Sequence, residues 1–213
     1  MHVCSLLLNM WIQSHAFCCL DSMFLQNMMG YLSDTSINSI LKLKFRSDDN
    51  IPGLVPTVLA SIKTNRSDSN LVVTLFGLLL NVSRTSKGSA VLRASSIDSL
   101  MIDTIQEHFD TPQLHEMAFA LLRNVLLVDE CEMDATLKSS DLISLALNSA
   151  MKYPCNGELQ ENVCRLLVVL TSQSNDEVRR LVQGKRCRRI LTLASKNFPD
   201  SCQEVVRLLL SSN

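Results

Sequence analysis

Apolar residues recur along much of this chain at intervals of three and four positions, with polar residues between them. In one stretch, Leu114, Ala118, Leu121 and Val125 all fall on one face of a helix. This spacing is typical of amphipathic helices that pack one side against a core. Because the same spacing returns in later segments, the pattern predicts an all-α protein.

Leucine-rich patches repeat at a nearly constant distance in the last two-thirds of the chain. Counted from one reference leucine in each patch, Leu79, Leu122, Leu167 and Leu209 are separated by 43, 45 and 42 residues. Repeats of about this length are typical of armadillo and HEAT units, which bury their apolar faces by stacking on neighbours. We therefore expect a right-handed α-solenoid of about four such repeats.

Each repeat contains a long helix followed by a segment long enough for two shorter ones. Polar or glycine-containing pairs interrupt these segments, namely Ser95-Ser96, Ser139-Ser140 and Gln183-Gly184. A three-helix repeat favours the armadillo unit over the two-helix HEAT unit. Thr111 followed by Pro112 predicts the start of one long helix, and Asp200 and Ser201 after Pro199 predict the cap of another.

Two regions are expected along the chain. Residues 51–213 are predicted to form one continuous domain of armadillo-like repeats, beginning with a helix from Ile51 to about Lys63. Residues 1–50 are predicted to form a degenerate helical repeat or cap, because Leu6-Leu7-Leu8-Asn9-Met10 echoes Leu78-Leu79-Leu80-Asn81-Val82. A chain that begins inside a repeat suggests that further residues precede Met1.

The amino-terminal segment is unlike a secretory leader. Its first twenty residues lack a basic start, and Asn9, Gln13 and His15 interrupt the apolar run. The run is also too short and too polar for a spanning helix. A cluster of methionines, Met23, Met28 and Met29, is expected to be buried in a subunit interface or against absent upstream helices, which predicts a homodimer.

Cysteine usage points to a reducing compartment. The eight cysteines contain no C-x-x-C pair, and several fall on apolar helical positions where a thiol acts as a small apolar side chain. We expect most of them to be reduced, which places the protein in the nucleus or the cytoplasm and not among secreted proteins.

Composition gives little support for catalysis. The formal net charge is −1. Because there are only 6 glycines, few segments could form a glycine-rich phosphate-binding loop. Nucleotide-binding and nucleophile-elbow motifs are absent, and the four histidines have no zinc-type spacing with cysteine. No catalytic, cofactor or metal site is predicted. His115 could contact Glu116 or Glu161, but we expect instead that it is exposed on its helix.

A family resemblance spans about Leu71 to Leu210, and the residues that match most clearly are found from Lys87 onward. The matching residues are Gly88, Val91-Leu92, Ser95-Ser96, Asp103-Thr104-Ile105, Arg189-Ile190-Leu191, Ser195-Lys196, Pro199 and Leu208-Leu209. They resemble the armadillo domain of the heat shock factor 2-binding protein family. That resemblance implies a role in meiotic homologous recombination and binding to the breast cancer type 2 susceptibility protein. The coiled coil that precedes this domain in the family has no heptad counterpart here.

Asn81 and Asn124 occupy matching places after two of the leucine patches, and Arg123 lies beside the second. In armadillo proteins such an asparagine ladder bonds the backbone of an extended peptide, since a carboxamide offers one donor and one acceptor. Val169 and Ser211 hold the corresponding positions of the later repeats, so the ladder is incomplete. Alternatively, these asparagines satisfy a neighbouring helix end.

A basic run lies between positions 179 and 189. Six of the chain's 20 basic residues fall within these eleven positions: Arg179, Arg180, Lys185, Arg186, Arg188 and Arg189. The run could contact phosphates or an acidic partner segment, or it could be a solvated outer face. No aromatic residue interleaves with it, so a base-stacking surface is not supported.

The sequence therefore predicts a non-catalytic, protein-binding adaptor without a cofactor, and the resemblance implies a place in meiotic recombination. A cytoplasmic scaffold of the centrosome or cilium is the alternative. A nucleic-acid-associated factor that uses the basic run is a second alternative. No membrane association is expected.

Overall fold

The computed structural model describes residues 51–95, 97–127, 139–173 and 176–211. Within these ranges all regular structure is helical, which confirms the all-α prediction. The helices are α1 (Ile51–Thr64), α2 (Ser69–Val82), α3 (Ser86–Ala94), α4 (Ile97–Glu107), α5 (Pro112–Leu126), α6 (Ser139–Lys152), α7 (Gly157–Gln173), α8 (Asp176–Gln183), α9 (Lys185–Asn197) and α10 (Pro199–Ser211). The predicted cap over residues 1–50, with its methionine cluster and leader-like start, lies outside the described residues.

The chain divides into two compact units, Met1–Ser95 and Ser96–Asn213. The first is described from residue 51 and contains α1 to α3, and the second contains α4 to α10. The single domain expected over residues 51–213 stays a prediction. None of the helices in the described ranges has both the length and the apolar character needed to cross a membrane.

In the first unit, α1 packs against α2 and α3. The apolar faces of these helices form its core, with Val55 and Ile62 from α1 and Phe76 and Leu79 from α2 fully buried. The helix α2 begins where it does because the side chain of Asp68 accepts a hydrogen bond of 3.1 Å from the backbone N–H of Leu71.

Gly88 is required by a close approach at the start of α3. A Cβ at this position would lie 2.1 Å from the carbonyl oxygen of Val82, which is inside any allowed contact. The backbone N–H of Gly88 donates to the hydroxyl of Thr85 at 3.0 Å, so Thr85 caps the helix. The glycine thus allows α3 to start directly against the end of α2.

The second unit is built around α7, which packs against α5, α6, α8, α9 and α10. Its apolar residues at spacings of three and four are all buried: Leu159, Val163, Leu166, Leu167 and Leu170. These spacings place the residues across a broad face of the helix, which the surrounding helices cover.

The reference leucines of the four patches are all core residues. Leu79, Leu122, Leu167 and Leu209 are each at most 5% exposed. The neighbouring Leu208, in contrast, is 50% exposed. The period in the sequence therefore reports buried positions correctly, whereas the stacking of four repeats into a solenoid stays a prediction.

The predicted helix boundaries are confirmed in part. The helix α6 begins at Ser139 and contains the Ser139-Ser140 pair, and the short helix expected before it lies outside the described residues. The helix α3 ends at Ala94 and α4 begins at Ile97, and Gly184 separates α8 from α9. Thr111 and Pro112 mark the start of α5, although the Thr111 side chain makes no capping bond. The expected cap at Asp200 is wrong, because α10 already begins at Pro199 and Asp200 lies in its first turn. There its negative charge complements the helix dipole.

Candidate functional site

The side chains of the basic run are all exposed, and they divide between two helices. Arg179 and Arg180 belong to α8, and the other four lie in the first half of α9. The sequence of α9 contains no acidic residue along its whole length. The turn at Gly184 changes the direction of the chain, so the run is not one continuous stripe.

A groove with a volume of about 460 Å³ runs between the carboxyl-terminal end of α6 and one face of α9. Ala150, Ile190 and Ala194 form its buried floor. Met151 and Leu193 line its edges and are 56% and 49% exposed, respectively. Two large apolar side chains that line an apolar depression are thus exposed to solvent, an arrangement that usually marks a contact surface.

Three cations form a rim above this apolar groove, namely Lys185, Arg186 and Arg189. The guanidinium of Arg186 donates a hydrogen bond to the side-chain oxygen of Asn148, and it lies 3.8 Å from the sulfur of Met151. This bond fixes one charge beside the apolar edge. The groove therefore combines an apolar base with positive charge at one end.

The other members of the basic run serve elsewhere. Arg188 donates from Nε to the carbonyl oxygen of Gln183 at 2.8 Å and so closes the turn between α8 and α9. Arg179 lines a second, smaller cavity of about 290 Å³ together with the exposed Leu208. Arg180 is exposed on α8 and does not line the groove. The run in the sequence thus contains two groups with different roles.

The predicted asparagine contacts lie in separate units. Asn81 is half-buried on α2 of the first unit, and Asn124 is half-buried on α5 of the second. The side-chain oxygen of Asn124 accepts hydrogen bonds from Nε and Nη2 of Arg123, at 3.3 and 3.2 Å. Arg123 therefore competes with any peptide N–H for this acceptor. The contact of these three residues with an extended peptide stays a prediction.

The expectation of an exposed His115 is wrong, because the side chain is fully buried. Its Nδ1 lies 2.8 Å from the hydroxyl oxygen of Ser149 on α6. Its ring packs among those of Phe109, Tyr153 and Phe119, with centroid distances of 5.2, 5.4 and 6.2 Å. The helix α6 covers this face of α5, and local sequence does not report that.

The hydroxyl of Ser149 lies between the ring of His115 and a backbone carbonyl. Ser149 donates its hydroxyl to the carbonyl oxygen of Leu145 at 2.9 Å, and the same serine oxygen lies 2.8 Å from Nδ1 of His115. Among the residues described, the ring's Nε2 has no hydrogen-bond partner. Burial lowers the pKa of His115 to about 4, which keeps the ring neutral near neutral pH.

A serine and a histidine at this distance resemble a nucleophile and its base, but their geometry opposes that role. The serine hydroxyl is held by the backbone carbonyl oxygen of Leu145 within its own helix. Both side chains are also fully buried. The pair therefore joins α5 to α6 within the core.

The carboxylates expected near His115 have other partners. Glu116 accepts a hydrogen bond from the side-chain amide of Asn156, and Glu161 forms an ion pair of 2.8 Å with Arg165. Burial raises the pKa of Glu116. Neither carboxylate therefore serves as the orienting group of a histidine base.

Polar side chains also close the carboxyl-terminal end of α6, which forms one wall of the groove. Gln160 donates from Nε2 to the carbonyl oxygens of Ala150 and Tyr153, at 2.7 and 3.0 Å. The hydroxyl of Tyr153 donates to the carbonyl oxygen of Phe109 at 2.7 Å. Because the last carbonyls of a helix lack partners within it, these bonds hold the end of α6 in place. These hydrogen bonds therefore hold in place the end of α6 that carries Met151.

The four cysteines within the described ranges are free thiols, of which Cys155 is exposed and Cys164, Cys187 and Cys202 are buried. A hydrogen bond with Cys202 raises the pKa of Cys164, and burial raises the pKa of Cys187 to about 11. Protonated, buried thiols of this kind act as small apolar side chains. Over the described part of the chain, histidine, cysteine and carboxylate side chains form no group suited to a metal ion.

Sequence reasoning identified the cations of the groove but missed its apolar part. Met151 and Arg186 are 35 positions apart in the chain and meet only when α6 packs beside α9. One local signal was available, since Leu193 follows Arg189 by four positions and therefore lies on the same face of the helix.

Comparisons of this chain with protein-family models, with curated proteins and with solved structures find no match.

Proposed function

We propose that the protein is a non-catalytic binding scaffold and that its second unit holds a segment of a partner protein in the groove between α6 and α9. The observation that carries this proposal is the combination of an apolar floor, two exposed apolar edges and a cationic rim. Surfaces with an apolar centre and a polar rim are typical of protein interfaces. Exposure of Met151 and Leu193 costs free energy that a bound partner would recover.

A protein segment fits this groove better than a nucleic acid does. Strands of nucleic acid are usually held by stacking on aromatic side chains and by several phosphate contacts. The lining of the groove contains no aromatic side chain, and Arg186 already bonds Asn148. Direct nucleic-acid binding through the run from Arg179 to Arg189 is therefore the weaker candidate.

The wider proposal is an armadillo-like solenoid that acts as an adaptor in meiotic homologous recombination. It is supported by the all-helical architecture, by the buried leucines at a period of 42 to 45 residues, and by the resemblance in the sequence. On this proposal the partner is the breast cancer type 2 susceptibility protein, and the protein is a homodimer of the nucleus or cytoplasm. The alternative is a scaffold of the centrosome or cilium.

A photo-crosslinking residue tests the groove directly. We would replace Leu193 with p-benzoylphenylalanine and use Thr192 as the matched control, since Thr192 is exposed on the same helix but does not line the groove. After irradiation in germline cells, we expect one protein to be trapped reproducibly at position 193 and not at position 192. The purified partner should then bind the wild-type protein and lose affinity for Leu193→Asp.

The outcomes of this experiment distinguish the cellular role in recombination from protein binding at the groove. Recovery of recombination proteins at position 193 would support the adaptor proposal. A partner from the centrosome or cilium would remove the recombination role and leave the scaffold. If irradiation traps nucleic acid instead, or gives equal products at both positions, the groove is not a protein-binding site.

A further inference from the structure

We infer that the occupant of the groove is a short amphipathic helix with acidic residues at one end and apolar residues along the face that follows. This inference rests on the proposed function, and it names the chemistry of the partner segment. Three features of the groove support it: the line of contact along α9, the uneven distribution of charge, and the lack of hydrogen-bonding groups on the floor.

The line of contact has the length of a helix of a few turns. The lining positions on α9 run from Arg186 through Ile190 and Leu193 to Asn197, at helical spacing and on one face. At a rise of 1.5 Å per residue, these eleven steps cover about 16 Å, or about three turns. A partner helix of three to four turns can lie along the whole face, with anchors at spacings of three and four.

The charge of the groove is concentrated at one end. Lys185, Arg186 and Arg189 lie in the first turn and a half of α9, whereas Leu193 and Ala194 lie beyond them. Positive side chains at a helix start are unfavourable because the helix dipole is also positive there. The cap residue, Gly184, has no side chain to accept from the first N–H groups. Carboxylates of a partner would relieve both the repulsion and the missing cap, so the acidic end must lie over this turn.

The floor of the groove favours a helix over an extended segment. Ala150, Ile190 and Ala194 cannot bond a peptide backbone through their side chains, and the Nε2 of Gln160 already donates to two carbonyls. An extended segment would face this floor with backbone groups that need partners. A helix satisfies its own backbone and can present leucines to the floor, and the flexible side chain of Met151 can adapt to them.

A designed peptide of about four helical turns tests the inference. The probe has glutamates in its first turn and leucines on one face of the next three, and its binding is followed by fluorescence anisotropy. We compare it with a scrambled peptide of the same composition, with a version carrying lysine in place of glutamate, and with a single-stranded oligothymidine. We expect the acidic amphipathic probe alone to bind, and its affinity to fall as salt rises.

Charge reversal at the rim provides the matched comparison. Lys185→Glu with Arg189→Glu should weaken binding of the acidic probe at least about tenfold, because two attractive charges become repulsive. The control, Arg180→Glu with Lys196→Glu, has the same change in net charge at exposed positions outside the groove. It should change the affinity less than about threefold. All four residues are exposed, so circular dichroism should show the same helix content in both variants.

Each alternative outcome overturns a defined part of the inference. Equal binding of the scrambled peptide would exclude an amphipathic helix. If the partner trapped at position 193 binds through the groove but the acidic probe does not, the acidic chemistry is wrong and the protein-binding proposal stands. If oligothymidine binds and the rim variant abolishes that binding, both the acidic-helix inference and the protein-binding proposal are wrong. If Leu193→Asp converts a dimer to a monomer in sedimentation, the groove is filled by a second copy of the chain.

Discussion

Two neighbouring residues of α6 have opposite surroundings. Ser149 points into the second unit, where its hydroxyl links the ring of His115 to the carbonyl oxygen of Leu145. Asn148 is exposed and bonds Arg186 at the rim of the groove. On the first side the hydrogen bonds are closed within the protein. On the second side, positive charge and apolar surface both remain open to solvent.

This difference separates residues that stabilise the fold from residues that line the proposed binding groove. A buried polar group must find a partner within the protein, so the His115 side contributes to the free energy of folding and specifies how α5 meets α6. The groove side exposes Met151 and Leu193, which contribute little to folding where they are and gain most when covered. Mutations on the two sides should therefore affect different measurements.

The largest expected effect is on the closed side. His115→Ala removes a ring that packs among Phe109, Tyr153 and Phe119, and it leaves a cavity beside Ser149. We expect the free energy of unfolding in urea to fall by about 3 kcal/mol. The matched control is His108→Ala, at a half-buried position, with an expected loss below about 1 kcal/mol. Equal losses in the two variants would contradict a special role for His115.

The pH dependence of stability should come from the same ring. Because burial lowers the folded-state pKa of His115 to about 4, below the ordinary value near 6.5, the unfolded chain binds a proton in this interval that the folded chain does not. The contribution to stability is therefore complete above about pH 6.5 and is lost as pH falls toward 4. We expect a loss on the order of 2 kcal/mol in urea unfolding across this range.

His115→Asn is the control for the pH effect, since its amide can donate to Ser149 but does not titrate. Its unfolding free energy should lack this contribution. The raised pKa of Glu116 acts in the opposite direction, and it is present in both proteins, so it cancels in their difference. Parallel pH profiles for wild type and variant would show that His115 does not titrate as described.

Ser149→Ala should give a smaller loss of about 1 kcal/mol, because Nδ1 of His115 is left buried without its hydrogen-bond partner. Ser144→Ala makes the same change at an exposed position of α6 and should be neutral within about 0.5 kcal/mol. Thermal unfolding of the two variants side by side measures the difference. A neutral Ser149→Ala would mean that the bond contributes nothing to holding α5 against α6.

The smallest effect on stability is expected at the groove. Leu193→Asp should change the free energy of unfolding by less than about 0.5 kcal/mol, since the side chain is 49% exposed. The same change should abolish binding of the acidic amphipathic probe. A large loss of stability with unchanged binding would contradict the placement of Leu193 at the binding surface.

Much of the helical architecture was predictable because its causes are local. The start of the first described helix at Ile51, the break at Gly184 and the buried stripe of α7 all follow from spacing, caps and helix-breaking residues within a few positions. The core leucines were predictable for the same reason, as each lies on the apolar face of its own helix.

The candidate site was predictable only in part. The run of basic residues marks the rim, but the sequence does not distinguish Arg186 and Arg189, at the groove, from Arg188, which bonds the turn before α9. Met151 reaches the same groove from a helix 35 positions away from Arg186. Such pairings depend on how helices pack, which a periodic pattern does not specify.

The sequence by itself determined that the described residues form helices, and it determined which leucines lie in the core. Both follow from periodicity, which is a property of each helix alone. Only the tertiary structure decided that His115 is buried and neutral, since α6 covers it with a residue 34 positions away. The tertiary structure also assembled the groove, because its floor, edges and charges come from both α6 and α9. Functional surfaces of this kind arise between elements, where local sequence carries the least information.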